Sequence, residues 1–197
     1  MKRVIGGLLA VLVVAGLMWL GWDQYRDFLT QGMKPTEGMA LLNRMTQEGV
    51  PDFELVDIKG ENLSLSQYQD RIILLNFWAS WCEPCIAEFP SMMRLLRRYP
   101  EEMVLVAISA DHSEEEMFNF LRVFGADEPN LRVAWDQEMK VARLYGTQVL
   151  PESYIIGPGL RLIRKVAGVE DWDTPGAQEY FAQVVARELN PDLDLEN

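Results

Sequence analysis

Histidine and cysteine are scarce in this chain of 197 residues, which contains one histidine and two cysteines. A structural zinc site needs four cysteine or histidine ligands, so these three residues could complete one only with help from carboxylates. The two cysteines, Cys82 and Cys85, would close a loop of only four residues if they formed a disulfide. Such a short loop removes little entropy from the unfolded chain. The pair is therefore better suited to chemistry than to a metal site or a purely structural bridge.

Basic residues are also few, since 18 Lys and Arg face 30 Asp and Glu and the formal net charge is −12. This acidity argues against nucleic acid or anionic lipid as a partner, because both require a basic surface. Internal repeats and low-complexity tracts are absent from the sequence. With 49% hydrophobic residues, the chain can bury a substantial core without disulfides. Its length predicts one ordinary domain with short additional segments.

An uncharged apolar run of 19 residues, VIGGLLAVLVVAGLMWLGW, occupies positions 4–22. As a helix it would measure about 28 Å, close to the ~30 Å hydrocarbon thickness of a bilayer. Lys2 and Arg3 precede the run and Asp23 follows it, so its N-terminal end should stay in the cytoplasm. A cleaved signal peptide is the alternative, but the run lacks an A-x-A-like site and a lipobox cysteine. We predict a membrane anchor over residues 1–22.

Residues 23–49 are predicted to form a polar stalk or linker, which is interrupted by glycine and proline. From residue 50 to residue 190 the pattern becomes that of a folded domain, and residues 191–197 form a short tail. The domain is predicted to begin with a hairpin around KGEN and a buried strand RIILLNFW, followed by a helix from near Cys82 to Tyr99 and a second buried strand MVLVAIS. Next come a helix with a Ser113–Glu116 capping box, a strand LRVAWD and a helix QEMKVARLYG. A hairpin ESYIIGPGLRLIRKVAG and a helix from Thr174 complete the domain. This order predicts an α/β domain with helices around a mixed central sheet.

The two cysteines follow a predicted buried strand and open a predicted helix. A helix N-terminus carries partial positive charge and free N–H groups, which stabilise a thiolate. Cys82 at that end is the expected nucleophile, and Cys85, one turn further, is the expected resolving thiol. Pro84 fits a first helical turn, where its missing N–H is not needed. A C-x-x-C pair in this position favours a thioredoxin-like redox motif.

The segment FWASWCEPC resembles the active-site segment of thioredoxin-fold oxidoreductases. The longer stretch VPDFELVDIKGENLSLSQYQDRIILLNFWASWCEPCIAEFP, from Val50, resembles the membrane-tethered TlpA, ResA and CcmG (DsbE) group. These are bacterial thiol-disulfide reductases that face the periplasm or the outer surface of the membrane. The resemblance runs from about Val50 to Leu189. It implies a thioredoxin-like fold with an N-terminal β-hairpin extension, and a redox-active disulfide with no other cofactor and no metal.

The resemblance also assigns residues that contact the substrate. Pro151, in QVLPESYII, matches a cis-proline that lies beside the cysteines, where the backbone of the preceding residue, Leu150, pairs with a substrate peptide. A trans-proline at a strand start is the alternative. Trp81 matches a tryptophan beside the exposed sulfur. We expect the substrate contacts to be Trp81, Glu83, Pro84, Leu150 and Pro151.

The chain departs from general thioredoxins at Asn76, which replaces a buried aspartate under the active site. Membrane-tethered relatives have asparagine there and use a glutamate after the second cysteine, a residue that Glu88 matches. Glu88 is therefore the expected proton carrier for Cys85, since residues three apart share a helix face. A solvated glutamate on the helix surface is the alternative. The segment PES, which contains Glu152, resembles the PET of CcmG, whereas CEPC resembles ResA, so the subgroup stays open.

These features together predict a reductase of the bacterial inner membrane, single-pass, with a cytoplasmic N-terminus and a periplasmic redox domain. The resemblance implies apocytochrome c or a cytochrome-maturation partner as substrate, and a membrane electron donor of the DsbD or CcdA type. A general extracytoplasmic oxidoreductase, oxidase or isomerase is the first alternative. A peroxiredoxin would need T-x-x-C where Ser80-Trp81-Cys82 stands. A copper-binding module would need C-x-x-x-C and a distal histidine, whereas His112 is expected to be a loop residue.

Overall fold

A five-stranded mixed sheet organises the structure, a computed structural model that describes residues 15–26 and 36–189. The strands are β1 (Leu55–Val56), β2 (Asn62–Leu63), β3 (Ile72–Trp78), β4 (Met103–Ser109), β5 (Leu131–Trp135), β6 (Glu152–Gly157) and β7 (Arg161–Ala167). The helices are α1 (Glu37–Glu48), α2 (Glu83–Arg98), α3 (Glu114–Phe124), α4 (Lys140–Leu144) and α5 (Pro175–Leu189). Short 3₁₀ turns occupy Leu65–Tyr68 and Pro158–Leu160.

The order of strands across the sheet is β5-β4-β3-β6-β7. Strands β3, β4 and β5 run parallel, while β6 is antiparallel to both β3 and β7. The predicted closing hairpin is confirmed as β6 and β7, which turn through Pro158–Leu160. The predicted N-terminal hairpin is confirmed as the short antiparallel pair β1 and β2. The mixed sheet flanked by helices therefore agrees with the prediction from the sequence.

Every residue of β3 and of β4 is buried. Both strands lie inside the sheet and are covered on both faces, which explains why their sequences are continuous apolar runs rather than alternating ones. On one face the side chains of α2, α3 and α5 form a cluster that includes Trp78, Phe89 and Phe181. On the other face Met45 of α1 packs with Phe77 and with residues of α4. The sheet thus separates two apolar layers.

Helix α1 lies within the segment 23–49 that the sequence predicts to be a stalk. Its Met45 is 1% exposed and belongs to the cluster on the second face of the sheet. Leu41 and Leu42 are partly buried against the same cluster. The C-terminal half of the segment therefore packs on the domain, the alternative to a free stalk. The predicted domain boundaries themselves stay a prediction.

The helical residues 15–26 form a separate unit that includes part of the predicted anchor. Leu17, Met18, Trp19 and Trp22 are each more than half exposed there. The first part of the predicted anchor, residues 1–14, lies outside the described residues, as does the predicted tail 191–197. Within the described ranges, no helix is both long and apolar enough to cross a bilayer. The anchor stays a prediction.

The N-terminus of α3 departs from the predicted capping box. Ser113 Oγ accepts a hydrogen bond from the backbone N–H of Glu116 at 3.3 Å, as predicted. The Glu116 carboxylate, however, accepts from the N–H of His112 at 3.1 Å instead of returning to Ser113. The prediction of the cap is confirmed and that of the reciprocal bond is wrong, because the carboxylate bonds to the amide one residue earlier.

Replacing Met45 with alanine tests whether α1 is part of the stable domain. Loss of this buried side chain should lower the free energy of unfolding by about 2–5 kcal/mol, as for other buried methionines. Met39→Ala is the matched control, because Met39 on the same helix is 57% exposed. Urea unfolding of the full chain measures both variants. Equal stability of the two variants would show that α1 does not contribute to the core.

Candidate active site

The two cysteines lie where the C-terminal end of the central strand β3 leads into α2. Cys82 is the N-cap residue of α2, with extended backbone angles, and Glu83 and Pro84 follow in the first turn. The backbone N–H of Cys85 donates a hydrogen bond to Sγ of Cys82 at 3.3 Å. The Cys82 sulfur therefore sits at the positive end of the helix dipole. This position favours the thiolate form of Cys82 when the pair is reduced.

Cys82 and Cys85 are joined in a disulfide. Cys82 is 6% exposed and Cys85 is 2% exposed, so the first sulfur is the more accessible of the two. This order matches the expected roles of an outer nucleophile and an inner resolving thiol. A group of three or more side chains able to hold a metal ion is not found within the described ranges.

One buried carboxylate, that of Asp111, fixes the loop that precedes the cysteines. Its Oδ1 accepts hydrogen bonds from the backbone N–H and the hydroxyl of Ser80, at 2.8 and 2.7 Å. Its Oδ2 accepts from the hydroxyl of Ser109 at 2.7 Å. The loops that follow β3 and β4 are thereby tied together beside the disulfide. The sequence analysis missed Asp111, although a polar pair directly after a buried strand is a usable signal.

Trp81 forms an exposed aromatic surface next to Cys82. Its side chain is 54% exposed, and its ring stacks on the imidazole of His112 with centroids 5.7 Å apart and planes 11° apart. His112 lies in the loop between β4 and α3, as expected. The stacking of His112 on Trp81 could not be predicted from the sequence, because the two residues are far apart in the chain.

An open cleft of about 450 Å³ leads to the outer sulfur. It is lined by Trp81, Cys82, Pro84, Met139, Thr147, Gln148, Val149 and Leu150. Apolar side chains predominate in this lining, and Val149 is 49% exposed. The cleft can therefore accept an apolar peptide segment beside the disulfide.

The expected substrate contacts are only partly brought together at this cleft. Trp81, Pro84 and Leu150 line it. The Leu150–Pro151 peptide bond is cis, which confirms that prediction. Pro151 itself is buried behind the lining, and Glu83 is exposed in the first turn of α2 without lining the cleft. The sequence analysis missed Met139 and residues 147–149, because loop residues carry no periodic pattern.

Glu88 lies in the protein interior, since only 2% of it is exposed. Its Oε1 accepts a hydrogen bond from Nδ2 of Asn76 at 3.1 Å. Its Oε2 accepts from the backbone N–H of Glu170 at 3.2 Å and from Nε1 of Trp172 at 3.4 Å. The interpretation of Glu88 as a solvated surface residue is therefore wrong, because α2 turns this side chain toward the sheet.

Burial raises the pKa of Glu88 from 4.5 to about 7. The N–H groups of Glu170, Trp172 and Asn76 act in the opposite direction, and the negative charge of Glu170 adds to the increase. A carboxyl group with a pKa near neutrality can both accept and release a proton under physiological conditions. Cys85 lies three residues earlier on the same helix, a spacing that places two residues on one helix face.

Asn76 connects this carboxyl group to the strand that follows the cis-proline. Its Nδ2 also donates a hydrogen bond to the hydroxyl of Ser153 in β6, at 2.9 Å. The neighbouring Glu152 is buried too, but it pairs with Lys165 at 2.9 Å and accepts a hydrogen bond from Tyr154 at 3.0 Å. Among the ion pairs of the described part of the chain, none includes Glu88. The charge of Glu152 is therefore balanced by a cation, whereas among the described residues Glu88 has only neutral hydrogen-bond donors.

Residues 46–165 match the sequence pattern of the AhpC/TSA family. That match covers more than half of the chain and includes both cysteines. The chain belongs to the AhpC/TSA family. The matched residues include the cysteine pair and the buried Glu88 of α2, and the cis-proline that precedes β6.

Three comparisons place the chain more closely within the AhpC/TSA family. The thiol-disulfide oxidoreductase ResA of Bacillus subtilis is 29% identical over 163 residues, which cover 82% of each chain. The thioredoxin-like protein YneN of the same organism is 31% identical over 134 residues, 66% of this chain and 72% of that one. A crystal structure of a protein described as the thiol:disulfide interchange protein DsbE, from Chlorobium tepidum, has 28% identity, a TM-score of 0.61 and covers 70% of this chain and 95% of that one.

These relatives and the site geometry agree on the enzyme class. The chain has a thioredoxin-like fold, carries its C-x-x-C pair at the N-terminus of α2, and is a thiol-disulfide oxidoreductase of the ResA/CcmG type. The resemblance found in the sequence is confirmed at this level.

The raised pKa of Glu88 makes a testable contribution to stability. Because the pKa is about 7 in the folded protein against an ordinary 4.5, the folded state binds this proton more tightly than the unfolded chain. The resulting stabilisation is fully present below about pH 4.5 and is lost as the pH rises through about 7. The Glu88→Gln variant lacks it, so the stability difference, wild type minus variant, should decrease over this range.

Urea unfolding of the oxidised full chain at a series of pH values measures this difference. Glu83→Gln is the matched control, because it removes an exposed carboxylate from the same helix. A difference between wild type and Glu88→Gln that does not change between about pH 4.5 and 7 would contradict the assignment of the raised pKa to Glu88.

Proposed function

We propose that the protein is a membrane-anchored reductase of protein disulfides that acts in cytochrome c maturation. In this proposal residues 1–22 cross the inner membrane with the N-terminus in the cytoplasm, and the domain of residues 50–190 faces the periplasm. The substrate is a disulfide in the C-x-x-C-H segment of apocytochrome c, or in a maturation partner. The main observation in support is the Cys82 sulfur at a helix N-terminus, in the more exposed of the two cysteines, with a buried carboxyl group three residues beyond Cys85.

The reaction begins with the reduced pair. The Cys82 thiolate attacks one sulfur of the substrate disulfide, so that a mixed disulfide forms and the second substrate sulfur leaves as a thiolate. The helix N-terminus favours this step because it stabilises the attacking thiolate. The apolar cleft beside Cys82 holds the substrate segment, and the backbone of Leu150 supplies hydrogen bonds to it.

Cys85 completes the reaction. Glu88, in its carboxylate form, takes the proton of the Cys85 thiol, and the resulting thiolate attacks Sγ of Cys82. The Cys82–Cys85 disulfide forms, the mixed disulfide breaks, and the substrate sulfur that Cys82 had attacked leaves as a thiolate. Two electrons have passed to the substrate, which acquires two protons to become a dithiol. The protonated Glu88 then returns its proton to solvent.

The oxidised enzyme must be reduced again before another cycle. An extracytoplasmic compartment is oxidising, so the electrons must come from a dedicated donor. The proposed donor is a membrane protein of the DsbD or CcdA type. Its dithiol attacks the Cys82–Cys85 disulfide by the same exchange chemistry in reverse, with Glu88 returning the proton to Cys85. The disulfide is then the only redox group the enzyme needs.

The membrane anchor is supported by the uncharged run of residues 4–22 and its basic N-terminal flank. Where this run is described, from residue 15, it is helical, and Trp19 and Trp22 are exposed. An exposed apolar helix needs an apolar environment, and tryptophans favour the boundary between membrane and water. An anchor would hold the redox domain close to a membrane-bound donor.

The ResA and DsbE similarities support thiol-disulfide exchange as the reaction, because those proteins are described as a thiol-disulfide oxidoreductase and a thiol:disulfide interchange protein. The maturation role follows from the resemblance of the segment around the cysteines to the TlpA, ResA and CcmG group. A general extracytoplasmic oxidoreductase is the alternative function, and the identity of the trapped partner decides between the two.

The Cys85→Ala variant tests the two-step exchange. Because this variant can attack a disulfide but cannot resolve the product, it should accumulate a mixed disulfide through Cys82 with its partner. Non-reducing electrophoresis and mass spectrometry of cells that express the full chain identify that partner. The Cys82→Ala variant is the control and should trap nothing. If Cys85→Ala yields no covalent species, the proposed sequence of steps fails.

The direction of electron flow is tested by the reduction potential of the Cys82–Cys85 pair. A reductant should have a value near or below about −200 mV, whereas a strong oxidant lies near about −120 mV. Equilibration of the full chain with glutathione or dithiothreitol buffers, followed by thiol alkylation, measures this value. We expect the lower value. A potential near about −120 mV would overturn the reductase assignment.

A further inference from the structure

A second pocket reaches Glu88 from a side of the domain that is separate from the cysteine cleft. Its volume is about 340 Å³, and it opens between α2 and the loop that joins β7 to α5. Ala87 and Arg94 of α2 line it on one side, and Val169 and Glu170 of the loop line it on the other. Glu88 also belongs to this lining, although only 2% of the residue is exposed. The pocket therefore brings solvent close to a buried carboxyl group.

This pocket shares none of its lining residues with the cleft beside Cys82. A peptide bound over the disulfide covers the cleft, because Cys82 and Leu150 are part of the cleft wall. The proton of Cys85 must be removed while the substrate is still attached to Cys82. At that moment the second pocket, none of whose lining residues belongs to the cleft, remains open to solvent.

The wall of the second pocket is held in place by a set of specific contacts. The backbone N–H of Trp172 donates to Oγ of Ser91 at 3.1 Å, and Ser91 donates to the carbonyl oxygen of Glu88 at 2.7 Å. The Asp173 carboxylate pairs with Arg94 at 2.6 Å and with Arg98 at 3.0 Å. The loop is thus fixed to α2 by Trp172 and Asp173, just after the Glu170 contact with Glu88. The pocket is a built feature of the domain rather than a gap beside a free loop.

Charged side chains surround the opening, while neutral groups face the carboxyl itself. Arg94, Glu170 and Asp171 line the pocket. Toward the interior, Glu88 meets the amide of Asn76 from β3 and the indole of Trp172 from the loop. Glu170 is the charged residue whose repulsion acts on Glu88. The charged side chains at the opening can bind water molecules, which purely apolar walls would not retain. Such water can carry a proton between Glu88 and the solvent.

We propose that this second pocket is a proton port, through which Glu88 exchanges its proton with solvent while a substrate occupies the cysteine cleft. Val169 and Glu170 form its outer rim, and the charge of Glu170 regulates how readily Glu88 gives up its proton. The inference rests on the proposed role of Glu88 as the proton carrier for Cys85. It assigns a function to the β7–α5 loop that is independent of substrate binding.

The first test narrows the port with a bulky side chain at its rim. Val169 is 58% exposed, so Val169→Trp can be accommodated without changing the core. Val123→Trp is the matched control, because Val123 is 80% exposed on α3 and lines neither opening. Turnover of a disulfide-containing model peptide by the full chain, with dithiothreitol as reductant, is measured in H₂O and in D₂O. The reduction potential of each variant is measured in parallel.

We expect Val169→Trp to lower turnover below that of Val123→Trp and to increase the solvent isotope effect, with the potential unchanged. Glu88→Gln is measured beside them and should lose about 10²-fold in turnover if Glu88 is the proton carrier. If Glu88→Gln loses activity while the two tryptophan variants behave alike, the port is wrong and the role of Glu88 stands. If Glu88→Gln keeps full activity, the proposed role of Glu88 itself is wrong, and the proposal of a proton port is then wrong as well.

The second test does not depend on activity. Glu170→Gln removes the repelling charge but keeps the backbone N–H that binds Glu88, so the pKa of Glu88 should fall by roughly half a pH unit. Glu101→Gln, an exposed glutamate in the turn before β4, is the matched control. ¹³C NMR titration of the glutamate carboxyl signals in the oxidised full chain measures the pKa, and Glu88→Gln identifies the signal. A Glu88 pKa equal in the two variants would overturn the role of Glu170.

Discussion

A carboxyl group buried among apolar side chains must be supplied with hydrogen-bond donors, and this requirement at Glu88 connects the parts of the structure on which the chemistry depends. Donors come from β3 through Asn76 and from the β7–α5 loop through Glu170 and Trp172. Asn76 carries the connection on to Ser153 in β6. The helix that begins at the disulfide is thereby held against both the centre of the sheet and its C-terminal loop. In the proposed mechanism, the same carboxyl group accepts the proton of Cys85.

The chain satisfies its buried carboxylates in different ways, and each way serves a different purpose. Asp111 receives two donors from Ser80 and one from Ser109, which fixes a loop. Glu152 has a cationic partner, Lys165, which neutralises its charge. Glu88 has neutral donors and a negative neighbour, so its charge is only partly compensated and its pKa rises. Among the described residues Glu88 has no cationic partner, and burial without such a partner raises its pKa.

Local patterns in the sequence predict the strands, the helices and the cysteine pair because each depends on a short segment. The apolar runs of β3 and β4 fit strands buried on both faces, and the cysteine spacing after such a run predicts a reactive pair at a helix start. The partners of Glu88 could not be predicted in this way, since Glu170 and Trp172 follow it by more than 80 residues. Packing of Met45 and stacking of His112 on Trp81 likewise depend on contacts between distant segments. Resemblance to a family supplied the cis-proline, which no local pattern indicates.

The order of strands also sets the sequence of events as the chain leaves the ribosome or a translocation channel. Strand β3, whose end leads to the cysteines, lies between β4 and β6. Its neighbour β4 follows soon after it, but β6 starts only at Glu152. Until then one side of a largely apolar strand has no partner, a condition that promotes aggregation and premature thiol reactions. The reactive segment therefore lacks its final environment during much of the synthesis of the chain, and its protection depends on the arrival of the last quarter.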